Sequence, residues 1–117
     1  MPGYVASMAY RVEIARNAEV ELEKLYLWVV ARAPHQGAKW FNGLERAVLS
    51  LDQLPKRCPV APESINSDQP LRVLSYGRKP HVYRVFFTVN DTAEAVRVVH
   101  IRHRARTAPM PDELKGD

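Results

Sequence analysis

Two apolar stripes at helical spacing, on helices joined around Ala33, Pro34 and His35, restrict this chain's fold more than any other feature. Upstream, Ala18, Leu22, Leu25 and Val29 recur every three or four residues, and downstream Trp40, Phe41, Leu44, Ala47, Val48, Leu51 and Leu54 do the same. That period puts apolar side chains along one side of a helix. Pro34 cannot continue the first helix, because it lacks an N–H and its ring clashes with the preceding turn. A connection this short leaves only an antiparallel helical hairpin. Asn17 is expected to cap the first helix through its side-chain oxygen, with Glu19, Glu21 and Glu23 near the positive dipole end. The second helix is expected over residues 36–54, stopped by Pro55. Each stripe must be buried against its partner or a sheet.

The sheet is legible on both sides of the hairpin. Tyr10-Arg11-Val12-Glu13-Ile14-Ala15 alternates large or apolar with charged side chains, the pattern of a short strand. Further strands are expected at residues 71–76, 82–89 and 96–102, the last two joined by the polar turn Asn90-Asp91-Thr92-Ala93-Glu94. Residues 56–70, rich in Pro, Ser, Asn and Asp and without periodicity, read as a surface connection. An N-terminal strand, a helical hairpin and a three-stranded antiparallel meander make an α+β fold: one small sheet covered on one face by the helices. At 117 residues a single domain is expected over the whole chain, with a core at about residues 10–106 and tails at 1–8 and 107–117. Nothing in residues 1–8 selects Met1 over Met8 as the start.

Composition narrows the chemistry. The one cysteine, Cys58, excludes an internal disulfide and a multi-cysteine zinc site, and with no oriented base beside it the thiol reads as incidental. The His spacings form no metal set, so neither metal nor cofactor is expected. Without a signal-peptide pattern, or an apolar run near the roughly 18 residues of a membrane span, a soluble cytoplasmic protein with no membrane partner is expected.

Charge is concentrated late in the chain. Residues 72–106 hold 8 Lys and Arg against 2 Asp and Glu, whereas residues 1–71 hold 8 of each. In Val96-Arg97-Val98-Val99-His100-Ile101-Arg102-His103-Arg104-Ala105-Arg106 an apolar strand runs directly into Arg and His. A localised basic stripe suits a polyanion, either nucleic acid or an acidic protein segment. Alternation along a strand puts Tyr83, Val85, Phe87 and Val89 on one face and Arg84, Phe86 and Thr88 on the other. Likewise His100 and Arg102 oppose Val99, Ile101 and His103. The face away from the helices is therefore expected to form a concave basic groove holding Arg84, Arg102 and either His100 or His103, with Arg104 and Arg106 just beyond.

In order and spacing these segments resemble the RelE/ParE superfamily, the toxins of bacterial type II toxin–antitoxin modules, also described as plasmid stabilisation proteins. The likeness is carried by Ala18-Glu19-Val20-Glu21-Leu22-Glu23-Lys24-Leu25-Tyr26 and by Ala47-Val48-Leu49-Ser50-Leu51-Asp52-Gln53-Leu54-Pro55. It is carried further by Tyr83-Arg84-Val85-Phe86-Phe87 and the His-x-Ala-Arg ending at His103. The resemblance implies a growth-inhibiting toxin bound by a cognate antitoxin in a hetero-oligomer. It implies one of two targets: messenger RNA cut in the ribosome, as RelE-like members do, or DNA gyrase, as ParE-like members do. On the RNA branch the 2′-hydroxyl attacks the adjacent phosphate, basic groups stabilise the added charge and an acid protonates the leaving oxygen. Arg84 and Arg104 or Arg106 would then contact phosphate, and His100 or His103 would serve as acid or base, with His81 a further possibility. Arg72, Arg78, Lys79, His81 and Arg102 would contact the target. No Tyr follows Tyr83, where RelE-like members often place one in the tail, and Met110 can neither stack nor transfer a proton. The helical hairpin and the His-x-Ala-Arg ending lean toward ParE.

Plainer readings stand beside these. A histidine on a strand is more often a satisfied structural residue than a functional one, a charge run is more often a solvated face, and Trp28, Trp40 and Phe41 suit core or hairpin packing better than base stacking. The alternative function is a non-catalytic nucleic-acid-binding module or degenerate toxin, whose binding weakens steeply with salt.

Overall fold

The computed structural model describes residues 9–104. Strand β1 (Arg11–Ile14) leads into helix α1 (Arg16–Arg32), Ala33 makes the turn, and helix α2 (Pro34–Leu49) runs back. After a set of short 3-10 turns come β2 (Arg72–Tyr76), β3 (Tyr83–Asn90) and β4 (Ala95–His103). The sheet order is β1-β4-β3-β2; β2, β3 and β4 are antiparallel, and β1 lies parallel to β4 with Arg11 opposite Ala95 and Ile14 opposite Val98. The α+β architecture read from the sequence is the one observed.

Pro34 acts as expected. It ends one helix and occupies the first turn of the next, where its missing N–H is no loss. The two helices approach so closely at Gly37 that a Cβ there would lie 2.4 Å from the Val29 carbonyl oxygen. Leu25, Phe41, Leu44 and Val48 of the hairpin meet Val85, Phe87, Val96, Val98 and Ile101 of the sheet in the main core.

Three local expectations are corrected. Asn17 does not cap α1: buried Ala15 holds the cap position, its N–H bonded to Val98 O at 2.8 Å, so docking of β1 on the sheet sets the helix start. The second helix stops at Leu49 instead of running to Leu54, because a 3-10 turn (Ser50–Asp52) drives Leu51 into the core and brings Asp52 O to Tyr10 N–H. The connection over 56–70 is not merely superficial. It crosses the second face of the sheet, where Ala15, Ala61, Leu71, Phe86 and Val99 form a smaller core. Ser64 ties it down: its hydroxyl donates to Ala61 O and accepts from Leu71 N–H. Phe86, flanked by Arg84 and Thr88, was the sequence sign that this face needed an apolar cover.

Candidate functional site at the end of the last strand

A bulge decides which way the last side chains of β4 point. Phe86 is paired with His100 and Phe87 with Val98, so Val99 is the extra residue. Val99 therefore joins Phe86 in the smaller core, while Ile101 lies in the main one; the expected sharing of a face by Val99 and Ile101 is corrected. Beyond the bulge, Arg84 faces Arg102 and Tyr83 faces His103 across the ladder.

Past Val98, β4 has no strand on its outer side among the described residues, since β1 ends at Ile14. Glu21 of α1 takes that place. Its Oε1 accepts the Ile101 N–H at 2.9 Å, its Oε2 lies 3.2 Å from Arg102 Nε, and His100 Nδ1 lies 3.4 Å from Oε1. Burial alone pushes the Glu21 carboxyl pKa up. The contacts from His100 and the Ile101 N–H, with the charges of His100 and Arg102, outweigh it and hold the pKa below the ordinary carboxylate value.

The expected groove of cations without acids is thus altered by two carboxylates distant in sequence. Glu21 pairs with Arg102, and Glu63 of the connection lies 3.3 Å from Arg84 Nη1. Two guanidinium groups opposite each other on one face repel, and each carboxylate offsets part of that repulsion. Arg84 also lies over the Phe86 ring, 5.0 Å from its centroid. The His100 side chain is only 4 % exposed. His103 lies on the helix side of the sheet, its Nε2 2.9 Å from Pro80 O; a carbonyl only accepts, so that nitrogen carries the hydrogen.

The remaining candidates divide by position. Arg72 is a structural tie, donating to Cys58 O and Lys56 O. Arg78, Lys79 and His81 are exposed in the turn between β2 and β3, and Arg104 is exposed just past β4. That turn requires Gly77: its φ is +101°, and a Cβ would lie 2.2 Å from His81 O. Arg106 lies outside the described residues. Cys58 is buried, and burial pushes its thiol pKa up, away from nucleophilic use.

Trp28 departs from the packing role read for it, since it is 44 % exposed with the Arg32 guanidinium 3.9 Å from its ring centroid. Phe41 is buried and Trp40 half-buried. Sequence reasoning took Glu21 for a helix-dipole charge and passed over Glu63. No local signal marks either, as Glu21 meets Ile101 across 80 positions.

A helical hairpin on a four-stranded sheet, with Arg and His collected at the end of its last strand, defines a small α+β toxin of the RelE/ParE kind. The chain belongs to the ParE toxin family of the type II toxin–antitoxin system parDE, whose pattern matches residues 12–108. It is similar to the chromosomal ParDE toxin–antitoxin system of P. aeruginosa at a TM-score of 0.64 and 18 % identity, over 82 % of this chain and 97 % of that one. It is also similar to a mutant of the E. coli toxin RelE in the free state (TM-score 0.55, 17 % identity, 84 % and 86 % covered). A third likeness is to the toxin–antitoxin complex RelBE2 of Mycobacterium tuberculosis (TM-score 0.53, 21 % identity, 85 % and 95 % covered). At these identities the structural likeness concerns the fold. No match is found among curated proteins. Among the described residues no helix is long and apolar enough to cross a membrane.

Proposed function

We propose that this toxin arrests growth by binding and poisoning DNA gyrase, without cutting messenger RNA, and that a cognate antitoxin silences it in a toxin–antitoxin hetero-oligomer. The observation that carries this reading is the placement of the histidines of β4. Cleavage needs an acid within reach of the leaving oxygen and cations around the same phosphate. His100 shares its side of β4 with Arg102 but is buried against Glu21. His103 holds its Nε2 hydrogen on Pro80 O, on the side of the sheet opposite Arg84. The groups with open access, Arg104, Arg78, Lys79 and His81, suit binding a negatively charged surface better than a proton relay. The antitoxin partner is supported by the family, whose toxins form one half of two-component systems.

The test runs two purified reactions side by side. In a gyrase supercoiling assay the toxin is expected to inhibit, and adding the product of the neighbouring antitoxin gene is expected to restore activity. With ribosomes and a defined message, the transcript is expected to stay intact. Cutting at the A site with gyrase unaffected would overturn the reading in favour of the ribonuclease branch. Salt-sensitive binding to nucleic acid with neither effect would favour a non-catalytic module.

A further inference from the structure

We infer that the concave surface between the hairpin turn and the ends of β3 and β4 docks an acidic segment, bearing an apolar anchor, of the protein that the toxin arrests. This rests on the gyrase reading above and adds to it where the target is held.

The floor of that surface is a row of rings. Tyr76, Trp40, Tyr83 and His103 meet in turn edge to face, with centroids 5.2, 5.4 and 5.1 Å apart. Three hollows adjoin along the row. The central one, about 350 Å³, has Trp28 and Tyr83 in common with a hollow of about 260 Å³ toward His103, and Trp40 and His81 in common with one of about 490 Å³ toward Arg78. The central and His103-side hollows are mainly apolar inside, as an anchor side chain requires.

The rim is cationic. Lys24, Arg32, Arg78 and Lys79 border the hollows, and among the described lining residues the one carboxylate is Glu21, which is engaged by Ile101 N–H and Arg102. A partner that places carboxylates opposite this rim and an aromatic or branched side chain in the centre gains both charge complementarity and apolar burial.

The rings argue for a peptide over a nucleic acid. Base stacking needs an open ring face, but in each edge-to-face contact of the row one ring's face is met by the next ring's edge, and a face of exposed Trp28 is taken by Arg32. Position argues for the target as the source. The surface is continuous with the cations proposed above to meet the target, since Arg78, Lys79 and His81 line its third hollow.

The experiment uses the full-length toxin with purified gyrase and, separately, with its cognate antitoxin. Trp28→Ala and the double variant Arg78→Glu/Lys79→Glu are each expected to raise the half-inhibitory concentration about 10-fold or more, as loss of a central anchor or reversal of rim charge does. Trp28→Phe is expected to stay within about 3-fold, and antitoxin affinity is expected to change little in all three. Inhibition by the charge variant is also expected to lose most of its dependence on salt. Thermal midpoints verify folding; the double variant lies in an exposed turn, so it remains informative if Trp28→Ala unfolds. Unchanged inhibition in the double variant would overturn the inference, and so would loss of antitoxin binding with inhibition intact, or loss of message cleavage instead of gyrase inhibition. A wild-type toxin that leaves gyrase untouched would overturn the gyrase reading itself, and this assignment with it.

Discussion

The two halves of β4 face different problems. From Ala95 to Val98 the strand lies between β1 and β3, its backbone satisfied on both sides and Val96 and Val98 wholly buried. From the bulge at Val99 onward, β1 no longer pairs with it and no other strand of the described residues takes its place. A glutamate side chain from α1 completes the edge at Ile101 and also meets His100 and Arg102 of the same half. Where pairing is complete, apolar burial suffices. Where it stops, a carboxylate must satisfy the backbone and offset the cations together, and there the chain places its candidate functional groups.

The contrast can be broken at several points. The largest stability loss is expected in the fully paired half: Phe87→Ala, opposite Val98, empties the main core and should cost about 3–5 kcal/mol in denaturant unfolding. A loss under 1 kcal/mol would mean that this half is not held by packing. Glu21→Ala should cost less, roughly 1.5–3 kcal/mol, since it removes the acceptor of the Ile101 N–H and one carboxylate contact of His100 and Arg102 at a site that is 24 % exposed. Hydrogen exchange at Ile101 should accelerate while Val96 and Val98 stay protected. Acceleration along the whole strand would show that Glu21 supports the sheet generally and does not merely close an edge.

Acid should act on the same half. The Glu21 pKa is depressed in the fold, so its contribution is present above the ordinary value of 4.5 and is lost as pH falls through the lower folded value. Asp91 is also held low, by hydrogen bonds from Lys56 and Tyr10, and titrates in the same direction. The informative quantity is therefore the difference between wild type and Glu21→Gln, which should shrink on acidification below about pH 4.5. A constant difference would separate the carboxylate's charge from its role.

The smallest effect is expected at the exposed contact between β1 and the β3–β4 turn. There Tyr10 donates to Asp91 at 2.8 Å and Lys56 lies 2.5 Å from the same carboxylate. Tyr10→Phe should leave the thermal midpoint unmoved, because exposed contacts of this kind contribute little. A clear drop would mean that β1 docking depends on its polar end as well as on Val12 and Ile14.

Most of the architecture was legible because its signals are local. The helical periods, the break at Pro34 and the alternation in 71–76, 82–89 and 96–102 each depend on neighbours in the chain, and the corresponding elements lie within a residue or a few of where they were read. The helix boundaries at Ala15 and Leu49 were not legible, since contacts with Val98 and Tyr10 set them. The site was legible only as a set of cations. Which face each takes depends on one bulged residue, Val99, and what neutralises them depends on Glu21 and Glu63, whose places near Arg102 and Arg84 exist only once the sheet has closed.

Mapping the 5′ ends of cellular transcripts together with chromosome breakage after a short induction of the wild-type toxin bears most directly on the claim that the basic strand end binds a protein target and does not cut RNA. Broken DNA with no new in-frame transcript ends is the predicted outcome. New ends spaced by codons on an intact chromosome would contradict it.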